Sequence, residues 1–273
     1  MHPTRRPKSS QSGQVAVETA LVVPMMIFLV LGIIQLGMVH HARLMTEYGA
    51  YRAVRAGIVN HGDCGIMERA ALVALTPTLG PLKGMSGRVD TIEQAVNLNE
   101  AYALVVLGPG APPPFYPAGP LPLLRVQVVN PRASQLISLF NTYGSHMRGQ
   151  EIDYDDIRDD QVIGANLLSV RLTYFYELRI PFANWQLHSF YMGREYLDEL
   201  RGIQFENKRV GGQSATRYLE RRGAERSEDH KSAASLAESG RYVMPLVATW
   251  SMRMQSNYLN NPRHGPGRCA TDN

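Results

Sequence analysis

Residues 15–39 read VAVETALVVPMMIFLVLGIIQLGMV, an apolar run whose only charge, Glu18, stands near its start. These 25 residues, at about 1.5 Å rise each, give roughly 37 Å of helix, enough to cross a hydrocarbon core of about 30 Å with some tilt. A core helix of a soluble domain is rarely so long and so apolar. Arg5, Arg6 and Lys8 precede the run with no acidic residue among them, which sets the N-terminus in the cytoplasm and the rest of the chain outside. Arg43, Arg52 and Arg55 follow it and weaken that asymmetry, with Glu47 lying among them. The run is longer than the apolar core of a secretory signal, about 7–15 residues, and GMVHHARL (37–44) offers no small-x-small cleavage site. It reads as an anchor, with a short leader (1–13) before it and the membrane helix at 14–39.

A carboxylate inside a membrane helix costs about 2.5–3.5 kcal/mol at the centre and less near an end, so Glu18 needs a partner. The preceding residues, SSQSGQVAVE (9–18), place Glu18 five residues after Gly13. That spacing resembles type IV prepilin-like proteins, in which a prepilin-type peptidase cuts after the glycine on the cytoplasmic side. Cleavage between Gly13 and Gln14 would free an α-amino group at Gln14, able to pair with Glu18 of a neighbouring subunit and set axial register. A plain signal-anchor, with Glu18 hydrated at headgroup depth, stays open beside this reading. Over residues 12–58 the chain resembles TadE/TadG-like proteins, the minor pilin-like (pseudopilin) components of tight-adherence Flp pilus systems. Val17, Glu18, Ala20, Leu21 and Pro24 stand where that pattern expects them. The resemblance implies a bacterial inner-membrane, single-pass protein with a periplasmic or extracellular C-terminal domain. It implies other pilus subunits as partners, and a role in assembly rather than catalysis. Pro24 removes one helical hydrogen bond, which a membrane helix tolerates, and is read as either an ordinary membrane proline or a packing residue.

Beyond the membrane the helix is expected to continue, as an extension assigned to 40–62, through HHARLMTEYGAYRAVRAGIVN (40–60). Thr46, Gly49, Ala50, Ala53 and Gly57, spaced by three and four, form a small-residue face that lets another backbone approach closely. Either a neighbouring helix or the chain's own domain could cover it. His40 and His41 point about 100° apart, so they read as interfacial residues and not as joint metal ligands. The remainder, 63–273, reads as an exported α+β domain. Asp63 is a plausible N-cap for a helix ending at Thr76–Pro77, and a further helix is expected at 91–107 after a Gly-rich loop at 80–90. Strands are expected at Leu124–Val129, at Asn166–Ile180 and at Arg241–Ser251, where Pro245 suggests an edge or a bulge. The middle one sets Leu168, Val170, Leu172, Tyr174, Tyr176 and Leu178 on one face. A helix is expected within 182–202, and loops at 108–122 and 207–235. The sum is a long N-terminal transmembrane helix running into a pilin-like domain with a small antiparallel sheet.

Charge and motif content narrow the function class. A net charge of +4 without a basic, aromatic-interleaved stripe argues against nucleic acid. A calcium-binding EF-hand loop beginning at Glu151, in EIDYDDIRDD (151–160), would need Gly and Glu where Asp156 and Val162 stand, so the run reads as a solvated acidic loop, with a looser calcium site left open. No G-x-S-x-G, H-E-x-x-H or phosphate-cradling glycine loop occurs, and no enzyme activity, cofactor or metal is expected. Cys64 and Cys269 can pair in an oxidising exported compartment, or remain free, or bridge between chains. The alternative to the pilus-assembly reading is an unprocessed, signal-anchored envelope protein whose exported domain binds a ligand or partner.

Overall fold

A computed structural model describes residues 11–79, 121–142, 150–157, 159–201, 228–238, 240–261 and 265–270. The expected leader residues 1–10, the loop at 80–90, the helix at 91–107 and most of the connector at 108–122 lie outside these. The apolar run and its extension form one continuous helix, α1 (Gln11–Val59), 49 residues long with Pro24 inside it. Its end is set by backbone geometry. Gly62, at φ +72°, takes the left-handed conformation open to glycine. Its N–H donates back to the Gly57 carbonyl at 2.8 Å. Asp63 then caps α2 (Cys64–Leu75), its Oδ1 accepting from Ile66 N at 3.0 Å. The second helix folds back antiparallel on the first, so that Met67 meets Gly57 and Leu75 meets Gly49.

A three-stranded antiparallel sheet packs on this hairpin in the order β1–β3–β4, with β1 at Leu124–Asn130, β3 at Leu167–Leu178 and β4 at Tyr242–Arg253. The period-two face of β3, from Leu168 to Leu178, is at most 2% exposed throughout and forms the centre of the core. Strand β4 is an edge, which is where Pro245, paired opposite Phe175, can sit without breaking a second ladder. Two landmarks fix how β3 runs along α1: Leu168 lies over Gly57 and Leu172 over Gly49. Four strand residues and eight helix residues each span roughly 12–13 Å, so the strand and helix stay in step, antiparallel.

Smaller elements close the domain: α3 (Ala133–Thr142), α4 (Asp160–Ala165), α5 (Ala183–Arg201), α6 (Glu228–Glu238), and a two-stranded ladder of β2 (Glu151–Ile152) with β5 (Tyr258–Leu259). Helix α6 corrects the end of the expected loop at 207–235, of which 207–227 lie outside the described residues. Residues 228–238 are helical because Ala233 and Leu236, three apart, bury against Leu121, Phe175 and Val243 on the sheet face opposite α1. Asp229 adds a two-pronged bond to the Arg125 guanidinium at 2.6 and 2.7 Å. The acidic run at 151–160 is partly consumed by backbone. Asp153 accepts from Asp155 N at 3.0 Å, and Asp159 caps α4 by accepting from Gln161 N at 2.8 Å.

Candidate functional site

The candidate site is the anchor helix and the junction where the domain takes hold of it. From Val15 to Ile34 the large apolar side chains are 45–73% exposed, apart from the part-buried Leu31, and Phe28 makes a ring contact with Phe182. This uncovered stretch of 20 residues makes roughly 30 Å of helix, the thickness of a hydrocarbon core. It is the one helix among the described residues long and apolar enough to cross a membrane. Glu18 sits exposed on its second turn, and Thr19 returns its hydroxyl to the Val15 carbonyl at 2.8 Å. The Gly13–Gln14 peptide lies within the helix, which begins at Gln11 and so takes in the last residues of the expected leader.

The first fully buried side chain along α1 is Gln35, five residues before the boundary expected from the end of the apolar run. Its Oε1 accepts from Ile180 N at 2.8 Å, just beyond the end of β3. Its Nε2 is buried without a hydrogen-bond partner among the described residues. The sequence reading passed over Gln35, although a lone amide inside an apolar run was the available signal. The Arg179 guanidinium donates to the Thr78 carbonyl at 3.0 Å, and Thr78 Oγ1 lies 3.1 Å from the Tyr174 hydroxyl, so the same corner is tied by polar contacts.

The small-residue face higher on α1 is covered from within the chain. A Cβ added at Gly57 would stand 2.7 Å from Met67 Sδ and 2.8 Å from Leu168 Cδ2; one at Gly49 would stand 2.9 Å from Leu172 Cδ2. Ala50 and Ala53 are fully buried beside them. Thr46 Oγ1 donates to the Ala42 carbonyl at 2.8 Å and is satisfied within its own helix. Gly49, Ala50, Ala53 and Gly57 thus face the chain's own domain, whereas Gly13, Gln14, Glu18 and Pro24 lie on the lower, largely exposed part of α1. His40 and His41 are exposed on the covered part of α1, above Gln35.

At the far end of the domain Cys64 and Cys269 are joined in a disulfide, with Cα atoms 5.6 Å apart and a sequence separation of 205. Glu68 Oε1 lies 4.0 Å from Cys269 Sγ, but oxidised sulfurs are not thiolates, so this trio offers a metal only its carboxylate. Tyr258 fills the space beside Gly62, its hydroxyl donating to the Ala165 carbonyl at 3.3 Å, and burial pushes its phenol well above the usual range. Burial likewise lowers the His188 pKa. The ring is 4% exposed, its Nδ1–H donates to the Val243 carbonyl at 2.8 Å, and His230 nearby adds to the lowering.

Neither a curated protein nor a solved structure matches the chain. One family model does, that of the TadE-like protein, over residues 13–55. Its limits run from Gly13, ahead of the uncovered stretch, to Arg55 on the last turns of α1, and they take in Glu18, Pro24 and Gln35. That segment, which holds the apolar stretch and most of the helix face under the sheet, is similar to the TadE-like family.

Proposed function

We propose that this chain is a non-enzymatic minor pilin, or pseudopilin, anchored by Val15–Ile34 and working in assembly of a Tad-type adhesive pilus or a related secretion apparatus. The observation that carries the reading is the division of α1. Its lower half is a largely bare, bilayer-length helix with a carboxylate near its start, its upper half is a buried spine of the exported domain, and the TadE-like match spans both. A helix built in this way can be drawn out of lipid into a helical bundle without unfolding the domain it carries. In such a bundle Glu18 needs a cation, and the α-amino group exposed by cleavage after Gly13 would supply one from the neighbouring subunit. The partners on this reading are the membrane, other pilus subunits and a prepilin-type peptidase.

The test is the intact mass and N-terminal residue of the protein recovered from membranes, beside a Gly13→Ala version. A mature chain beginning at Gln14, lost in the variant, is expected. A leader retained in both would remove the processing step and leave a signal-anchored envelope protein whose exported domain meets a ligand or partner.

A further inference from the structure

The domain grips α1 low, and it does so with an aromatic side chain. The Phe182 ring stands edge-on to that of Phe28, centroids 5.4 Å apart. Phe28 is seven residues before Gln35, within the uncovered stretch, and so about 10 Å further along the helix axis. Phe182 reaches it from a sharp turn in which Ala183 N donates to the Pro181 carbonyl at 2.9 Å. There Phe182 holds a φ of +67°, a left-handed conformation that a bulky side chain adopts only under constraint. The ring is still 62% exposed, and Trp185 and Phe190, on the first turns of α5, are 57% and 71% exposed.

These three aromatics belong together. The stretch from Phe182 to Gly193, FANWQLHSFYMG, contains no Asp, Glu, Lys or Arg. At about 100° per residue, Trp185, Gln186, Ser189 and Phe190 of α5 fall within one uncharged arc of roughly 140°, with Phe182 just before the helix. Ala183 and His188 lie outside that arc and are 4% exposed, held against the sheet. Isolated exposed apolar residues are ordinary on a soluble protein. A charge-free helix face whose leading ring touches a bilayer-length helix is not isolated, because its apolar surface is continuous with the surface that lipid must cover. Aromatic side chains are favoured at the headgroup boundary, and amphipathic helices lie about 5–10 Å into it. The drop from Gln35 to Phe28 has the same size.

We infer that Phe182 and the first turns of α5 are embedded in the outer headgroup–acyl boundary of the bilayer, a second, interfacial contact beside α1. The occupant of the face is lipid. The contact fixes the tilt of the exported domain, with β3 and β4 standing over the membrane on their Leu178–Tyr242 end. This rests on the reading of α1 as a membrane anchor and not on the pilus role.

The full chain reconstituted in phosphatidylcholine vesicles provides the test, because it has two tryptophans, Trp185 and Trp250. With Trp250→Phe, Trp185 emission is expected to be blue-shifted, strongly quenched by lipids brominated on their acyl chains, and shielded from iodide present on both sides. With Trp185→Phe, the remaining Trp250 is expected to respond to iodide and not to bromine. Leu29→Trp in a background lacking both tryptophans reports the anchor itself. If that reporter is quenched by bromolipid and Trp185 is not, the inference is overturned while the anchor stands. Shielding of Trp185 from iodide without bromolipid quenching also overturns it, since protein and not lipid then covers the face. If neither reporter is quenched, the anchor reading fails and takes the inference with it.

Discussion

Gly57 shows what a small side chain does in this molecule. An alanine Cβ there would press Met67 at Sδ and Cγ and the end of Leu168, two side chains that can shift, and the helix would gain up to about 1 kcal/mol of propensity to offset this. A leucine has nowhere to go between those two side chains, and overpacking of this kind costs about 1–3 kcal/mol. Gly57→Leu is therefore expected to lower the thermal unfolding midpoint in detergent clearly, and Gly57→Ala to leave it nearly unchanged. Equal loss in both would mean that the backbone at this crossing cannot shift at all. His188 gives a pH prediction with a definite sign. Its folded pKa lies below the unfolded value of about 6.5, so the folded state resists protonation. The stability tied to the neutral ring is complete above that pH and is lost as pH falls toward the folded pKa, by at most about 1.4 kcal/mol per pH unit for one proton. The drop in midpoint between pH 7.5 and 5 is expected to be smaller for His188→Asn than for the native chain; parallel curves would show that other groups dominate. Gln35 marks the limit of reading single residues. Its amide is plain in the sequence, but its partner, the N–H of Ile180, is 145 residues away, and no local pattern announces it.

Elements were legible in proportion to how local their causes are. The β3 strand declared itself because its buried side chains alternate without a break, and α2 because Asp63 carries its own capping oxygen. The α1–sheet packing was legible as a face of small residues, but not as a choice between another helix and the chain's own domain. Helix α6 was missed because its segment is polar and of mixed charge, and what orders it is non-local: Leu121, Phe175 and Arg125 are all contributed by or beside the sheet. That origin makes α6 a sensitive element. The Arg125–Asp229 pair is about one-third exposed at both side chains, which limits it to the modest value of a partly solvated bond, below about 1 kcal/mol. The Asp229 bond chiefly raises the Arg125 pKa against the lowering effect of burial, so the guanidinium stays charged. Asp229→Ala is thus expected to leave the global unfolding midpoint within a degree or two while speeding amide exchange across 228–238. Unchanged exchange there would mean that Ala233 and Leu236 alone hold the helix.

At the scale of the whole molecule, three anchorages act on one helix: Gln35 at the foot of the domain, the small-residue face in the middle, and the disulfide region at the top. The top joint collects the chain's end. Cys64 N donates to the Gly265 carbonyl at 3.1 Å, and Ala270 forms a parallel bridge with Val128, so the bond between Cys64 and Cys269 ties α2 and β1 to the last residues. Closing a loop of 205 residues stabilises by roughly 5 kcal/mol in the chain-entropy picture, although the origin of disulfide stabilisation is disputed. Such a bond persists only where the surroundings are oxidising, which makes it a reporter of topology. If the basic leader stays in the cytoplasm and the domain is exported, intact protein blocked with maleimide as cells are lysed is expected to take up no label at either cysteine, and both after reduction under denaturing conditions. Cys64→Ser is expected to lower stability by about 2–5 kcal/mol and leave Cys269 open to label, with early proteolysis of the C-terminal end. Full labelling of the native chain without reductant would place the domain on the reducing side of the membrane. That result would invert the orientation drawn from Arg5, Arg6 and Lys8, and with it the side on which the aromatic face of α5 meets lipid.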